Sequence, residues 1–218
     1  MSAEGVFVTG LFEWYCTVDD VLRLLAGHDV SAIGDSDGLE LRIRGLMPVS
    51  MAAIDAEAGR DFLLHSGEVV TCDGRGEDRL MLGSLGVSPL LAVHSVVVDG
   101  RELSAGEYVV YRPEAVVRLR SGGTLSGVFP EGLGNVEVTA DWGYNGAPQE
   151  IRLAQARLVA AQVLSECAGD RGSVERLRIG DYAVEYGSGG EHAGLIERWV
   201  TDARSAARAY RRLRLAAI

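Results

Sequence analysis

The longest regular pattern of apolar and polar positions runs from Asn135 to Cys167, NVEVTADWGYNGAPQEIRLAQARLVAAQVLSEC. Val136–Trp142 alternates with a period of two, which predicts a strand that closes the β-structure preceding it. Trp142-Gly143-Tyr144 makes an aromatic-glycine corner. Pro148 then takes a first-turn position, with Gln149 and Glu150 behind it, and opens a long helix. Ile151, Ala154, Leu158, Ala161 and Ala168 share one face of that helix. The alanines on that face permit close helix–helix approach.

Upstream, Thr17 before Val18-Asp19-Asp20 reads as an N-cap with acids in the first turn, starting a short helix to Leu25. Gly27 and the polar Gly34–Gly38 segment (GDSDG) read as loop. Leu39, Ile43, Leu46, Met47, Met51, Ile54 and Ala58 keep a helical period. Pro48 lies inside that run, so the helix kinks there or restarts with proline in its first turn. Gly59 supplies a left-handed stop, and Phe62 beyond it can fold back on the last turn.

From Glu68 to Trp142 the texture changes to short strands: Val69–Cys72, Leu80–Leu82, Leu90–Val98, Tyr108–Tyr111, Val116–Leu119 and Val136–Trp142. Asp99-Gly100 is the clearest hairpin signal. The glycine-rich stretches Asp73–Asp78 and Gly122–Gly134 read as mobile loops. Downstream, Leu177–Tyr186 reads as a small hairpin or arm bent near Gly180-Asp181, and Gly187–Gly190 as a flexible joint. The last helix, Glu191–Leu213, sets Ile196, Trp199, Ala203, Ala206, Tyr210 and Leu213 on a short heptad seam. The fold expected is therefore α+β, with an antiparallel β subdomain inserted between helices. Its expected divisions are residues 1–67 (helices), 68–146 (β-rich) and 147–218 (long helix, arm and terminal helix).

Composition changes the picture mainly by exclusion. A chain of 218 residues with 47% hydrophobic and 24% charged residues can bury a proper core. No apolar run has the length of a membrane span, and Glu4 and Glu13 argue against a secretory leader. Cys16, Cys72 and Cys167, odd in number and widely spaced, suit buried thiols in a reducing cytoplasm rather than disulfides or zinc ligands. All 21 basic residues are arginine. Without lysine there is no P-loop and no Schiff base to pyridoxal phosphate, so both classes are excluded.

The net charge of −10 is unevenly spread. Residues 198–218 carry six arginines against Asp202, a local +5, which leaves −15 on the remainder. Such an acidic body does not suit general nucleic-acid binding, because phosphates are repelled. The basic end instead suits an acidic protein surface or a charged outer helix face, with contact to DNA phosphates as a third reading.

Candidate chemistry is sparse. His28, His65, His94 and His192 fall in different elements, with no G-x-S-x-G elbow or H-E-x-x-H helix. Asp35-x-Asp37-Gly38 lacks the further ligands of a calcium loop. Asp73, Glu77 and Asp78 read as a solvated acidic loop. Gly187–His192 (GSGGEH) lacks the spacing of a phosphate cradle and reads as a hinge. No catalytic, cofactor or metal residue is assigned.

Several segments taken in series resemble the head-to-tail connector (adaptor) proteins of long-tailed bacteriophages. They are Ala52–Phe62 (AAIDAEAGRDF), Pro89–Gly100 (PLLAVHSVVVDG) with Tyr108-Val109-Val110, Val136–Pro148 (VEVTADWGYNGAP) and Ile179–Tyr186 (IGDYAVEY), followed by the arginine-rich helix. Together they span residues 40–214. The insertion around Arg112–Gly134 is ampler than in compact members of that family.

The resemblance implies a non-enzymatic protein of the virion neck, assembled in the host cytoplasm and needing no cofactor. Members form a ring, usually of twelve subunits, between the portal protein and the stopper or tail. Twelve copies at −10 sum to roughly −120, and an acidic lumen lets DNA pass without sticking. By family position and local charge, Arg198, Trp199, Arg204, Arg208, Tyr210, Arg211, Arg212 and Arg214 are the expected portal contacts. Ala154, Leu158 and Ala161 are the expected contacts between subunits. Two rival readings are a decoration or host-binding module built on the β-insertion, and a hydrolase whose triad is dispersed over loops.

Overall fold

The computed structural model describes residues 14–123, 125–167, 174–179, 182–187 and 191–211. They divide into a helical unit, residues up to 61 together with those from 146 onward, and a β unit of residues 62–145.

In the helical unit, helix α1 (Val18–Leu25) begins with a reciprocal cap. The Thr17 hydroxyl accepts the Asp20 N–H at 3.2 Å, and the Asp20 carboxylate accepts the Thr17 N–H at 2.9 Å. Helix α2 (Ser36–Ala58) starts earlier than its apolar period suggests. Asp35 is its N-cap, accepting the Gly38 N–H at 2.9 Å, so most of the expected Gly34–Gly38 loop is the first turn of the helix. It also runs through Pro48 without restarting, because the residues on either side keep burying Ile43, Met47 and Ile54. Gly59, at φ 65°, ends it as expected.

Helix α3 (Gln149–Cys167) is the axis of the unit. Alongside the expected Ile151, Ala154, Leu158 and Ala161, it buries Gln155, Ala156, Val159, Ala160, Val163 and Leu164. The expectation of a single apolar face is thus corrected: α1, α2 and helix α4 (Ala193–Ala209) all pack on it. Strands β8 (Val174–Ile179) and β9 (Tyr182–Gly187) pair antiparallel as the expected hairpin. Its bend at Gly180-Asp181, the break at Asp170–Ser173, residues 188–190 of the joint, Ala168 and Leu213 lie outside the described residues.

In the β unit, β1 (Leu64–Gly74), β7 (Gly132–Gly143), β3 (Leu90–Val98) and β4 (Arg101–Glu102) form one antiparallel sheet, in that spatial order. A second sheet has the order β2 (Arg79–Met81), β6 (Val116–Leu119), β5 (Tyr108–Tyr111). Val96, Val98, Val136, Val138 and Ala140 of the first sheet share a core with Leu80, Val117, Leu119 and Phe129. The strand expected to close the sheet is instead its interior: β7 lies between β1 and β3. Asp99 and Gly100, at φ 51° and 75°, make the expected tight turn into β4. The Asp73–Asp78 stretch is tied down rather than free. Gly76 N–H donates to the Phe129 carbonyl, Phe129 N–H to Glu77, and Leu119 N–H to Asp78.

One half-buried group, Asp55, responds to pH. The Tyr15 hydroxyl donates to Asp55 Oδ1 at 2.7 Å. Burial pushes the Asp55 carboxyl up to about 6, the Tyr15 bond pulling it down and Asp61 adding to the rise. A folded pKa above the unfolded 3.8 means the native state holds a proton that the unfolded chain has released. Stability therefore falls as pH climbs from about 4 to 6, and the deficit persists above. Asp55→Asn keeps an acceptor for Tyr15 without the charge. It should raise Tm by about 3 °C at pH 8 and by nothing at pH 4, measured by circular dichroism melts at both values.

Candidate docking site

The amphipathic helix α4 carries three of the arginines that sequence reading singled out, Arg198, Arg204 and Arg208. Its buried residues are Ile196, Trp199, Val200, Ala203 and Ala207, a stripe of helical period rather than the narrow seam expected through Ala206 and Tyr210. Arg204 and Arg208 lie one turn apart to one side of that stripe, and Arg211 follows just past the C-cap Tyr210. Arg198 lies opposite the core and is exposed.

The arginines differ in how far they are engaged. Arg208 Nε donates to Glu57 Oε1 of α2 at 2.5 Å, binding α4 to its own unit. Asp202, the acid of this segment, is met by Arg157 of α3 at 3.1 Å. Among the described residues, no ion pair reaches Arg198, Arg204 or Arg211. Arg198 and Arg211 are exposed and Arg204 half-buried, so any contribution of the exposed two is screened and salt-dependent.

The remaining expected contacts are placed differently. Trp199 is 5% exposed and belongs to the core of the helical unit. Tyr210 donates its hydroxyl to Glu150 Oε2 at 3.3 Å, at the start of α3. Arg212 and Arg214 lie outside the described residues. Ala154, Leu158 and Ala161 are at most 1% exposed, spent on contacts within their own chain, and so are not free to meet a neighbour. Leu41 and Val49, exposed on α2, were not singled out by their pattern.

The polar groups with long-range partners are structural in geometry. The Gln155 side chain, fully buried, accepts the Cys16 N–H at 2.8 Å and donates to the Met47 carbonyl at 2.9 Å. Asp141 Oδ1 lies 2.9 Å from His94 Nε2 and accepts from Gly67 N–H at 2.7 Å and Ser66 Oγ at 3.2 Å. Those bonds, the one from His94 first, hold the Asp141 carboxyl below its ordinary value. This trio is not a hydrolytic relay: the carboxylate stands between serine and histidine, whereas activation needs the histidine between the other two. His65 stacks on Trp142 at 4.9 Å, and His28 meets His192 edge-on at the same separation. Burial pushes the Cys16 thiol up to about 12, the opposite of an activated nucleophile.

These two units define an α+β protein with Arg198, Arg204 and Arg208 on its last described helix and Arg211 just beyond it. No family model matches the chain, and no curated protein matches it. Among solved structures, one described as the neck of an empty GTA particle computed with C6 symmetry is similar at 18% identity. The similarity covers 85% of this chain and 88% of that chain, with a TM-score of 0.45. Among the described residues, no helix is long and apolar enough to cross a membrane.

Proposed function

We propose that this chain is a structural protein of a phage-like virion, a head-to-tail adaptor that forms a ring between portal and tail or stopper. Its role is head completion, head–tail joining and the passage of DNA. The observation that carries this reading is the outer surface of α4. There the exposed Arg198 and the half-buried Arg204, with Arg211 just past the helix end, have no ion-pair partner among the described residues, on a chain of net charge −10. A cationic face on an acidic protein suits docking on an acidic protein surface better than general binding to nucleic acid.

Those segments that resemble connector proteins and lie within the described residues support it further. Ala52–Phe62 covers the end of α2 and its glycine cap, Pro89–Gly100 covers β3 and its turn, and Val136–Pro148 runs from β7 to the start of α3. Contact between copies is assigned to the outer face of α2, where Leu41 is 74% and Val49 53% exposed, in place of the buried alanines of α3. Gly45 and Ala52, also exposed, share that face and allow close approach of a neighbouring backbone.

Replacing Arg198, Arg204 and Arg211 together by serine should weaken portal binding at least about tenfold at low salt, while the melting curve stays unchanged. The wild-type affinity should fall steeply between roughly 50 and 300 mM salt, and the variant's should not. Surface plasmon resonance on immobilised portal reads both. Equal binding by the variant, or by a chain ending before Glu191, removes the docking assignment.

A further inference from the structure

The outer face of α2 needs a counter-surface if it is to meet a neighbouring copy. Leu41, Gly45, Pro48, Val49, Ala52 and Ala56 are all exposed along it, over about 22 Å of helix. A helix that serves only its own core turns polar side chains outward instead. The start of this apolar stripe is acidic. Asp37, one turn before Leu41, has no ion-pair partner among the described residues, and Glu40 shares Arg44 at 3.8 Å. Arg42, the other cation nearby, is taken up by Glu166 of α3 at 2.8 Å.

A surface of opposite charge lies in the same unit. Beside α1 and the first turns of α3 there is an open groove of about 590 Å³. Leu24, Leu153 and Ala156 give it an apolar floor, with Asp20, Arg23 and Arg152 at its mouth. Leu153 is 38% exposed, an unusual state for a leucine on the most buried helix of the unit. Arg152 lies 3.1 Å and Arg23 3.6 Å from the single Asp20 carboxylate. That carboxylate already accepts the N–H and hydroxyl of Thr17, both at 2.9 Å. Two cations sharing one engaged acid leave a net positive rim over an apolar floor.

Stripe and groove complement each other. Apolar side chains whole turns apart on one helix face are the anchors of helix-in-groove docking, and Leu41 and Val49 stand in that relation. With them on the groove floor, the acidic start of the stripe meets the arginine rim, and unlike charges fix the direction of the helix. A second copy of the chain satisfies both surfaces at once, whereas any other apolar and acidic helix would fill the groove and leave the stripe bare. Because the two surfaces differ, the contact is head-to-tail. Each copy offers α2 to one neighbour and its groove to the other, and such contacts generate rings when the rotation between copies closes.

Resting on the ring-forming role given above, we propose that α2 of one copy docks in the α1–α3 groove of the next, Leu41 and Val49 on the Leu24–Leu153 floor and Asp37 toward Arg23 and Arg152. The test mixes two full-length chains at high concentration, one carrying Ala52→Cys and the other Gln149→Cys, with a short bismaleimide, followed by peptide mass spectrometry. A link between positions 52 and 149 can then form only between chains, and it is the expected product. Leu153→Glu, which sets an acid in the groove against the acidic stripe, should lower its yield at least about fivefold with the circular dichroism spectrum unchanged. Leu41→Glu with Val49→Glu should do the same from the other side. Failure to link, or a yield indifferent to both sets of changes, overturns the interface. Portal binding by the same chains is read in parallel by surface plasmon resonance. Chains that bind portal but never link overturn this interface and leave the adaptor role; chains that link but ignore portal uphold the interface and overturn that role.

Discussion

Gly143→Ala is expected to lower the stability of the β unit by about 3–5 kcal/mol. Gly143 sits at φ 93°, and a Cβ placed on it would lie 1.9 Å from the Leu63 carbonyl oxygen. The first fact costs about 1–3 kcal/mol for any L-residue. The second is worse, because the obstruction is backbone and cannot rotate away. Relief would have to part the strand ends where Tyr144 N–H donates to Leu63 O at 3.0 Å and Gly143 N–H to Pro89 O at 2.9 Å. Those bonds close β7 against both of its neighbours. Urea denaturation followed at a β-sheet wavelength measures the loss; a deficit below about 1 kcal/mol would mean that the corner is not as tightly built.

Gln155→Leu should cost the helical unit about 2–4 kcal/mol, although it replaces a polar core residue by an apolar one of similar size. The amide side chain joins three segments: Cys16 before α1, Met47 on α2, and α3 itself. Leucine fills the space but leaves the Cys16 N–H buried without its acceptor. Ser50→Ala is the control. Ser50 Oγ also donates to the Met47 carbonyl, at 2.9 Å, but Met47 keeps the Gln155 donor when that hydroxyl is removed. Its loss should therefore stay near 1 kcal/mol. Thermal melts of both variants decide the point, and equal losses would show that Gln155 acts by volume alone.

These two residues also mark how far the sequence could be read. The corner at Trp142-Gly143-Tyr144 was legible because a glycine directly after an alternating strand signals a bend that other residues resist. That its strand lies in the middle of the sheet was not legible, since local alternation carries no information on neighbours in space. Gln155 was invisible for a related reason. A lone glutamine off the expected apolar face reads as surface, and only the convergence of α1, α2 and α4 on α3 buries it. On α4 and just beyond it, spacing separated the arginines from the core, but not Arg208, which is engaged by Glu57, from Arg198, Arg204 and Arg211. The alanines of α3 were read as small enough for a close neighbour; the neighbours are helices of the same chain.

Negative-stain imaging of the purified protein mixed with its cognate portal asks whether this chain docks there as a ring. The expected image is a collar with the portal's own rotational symmetry, twelve copies of the chain per portal, lost when Arg198, Arg204 and Arg211 are changed to serine. Bare portals beside excess free protein, at concentrations well above those of assembly, would contradict the adaptor role.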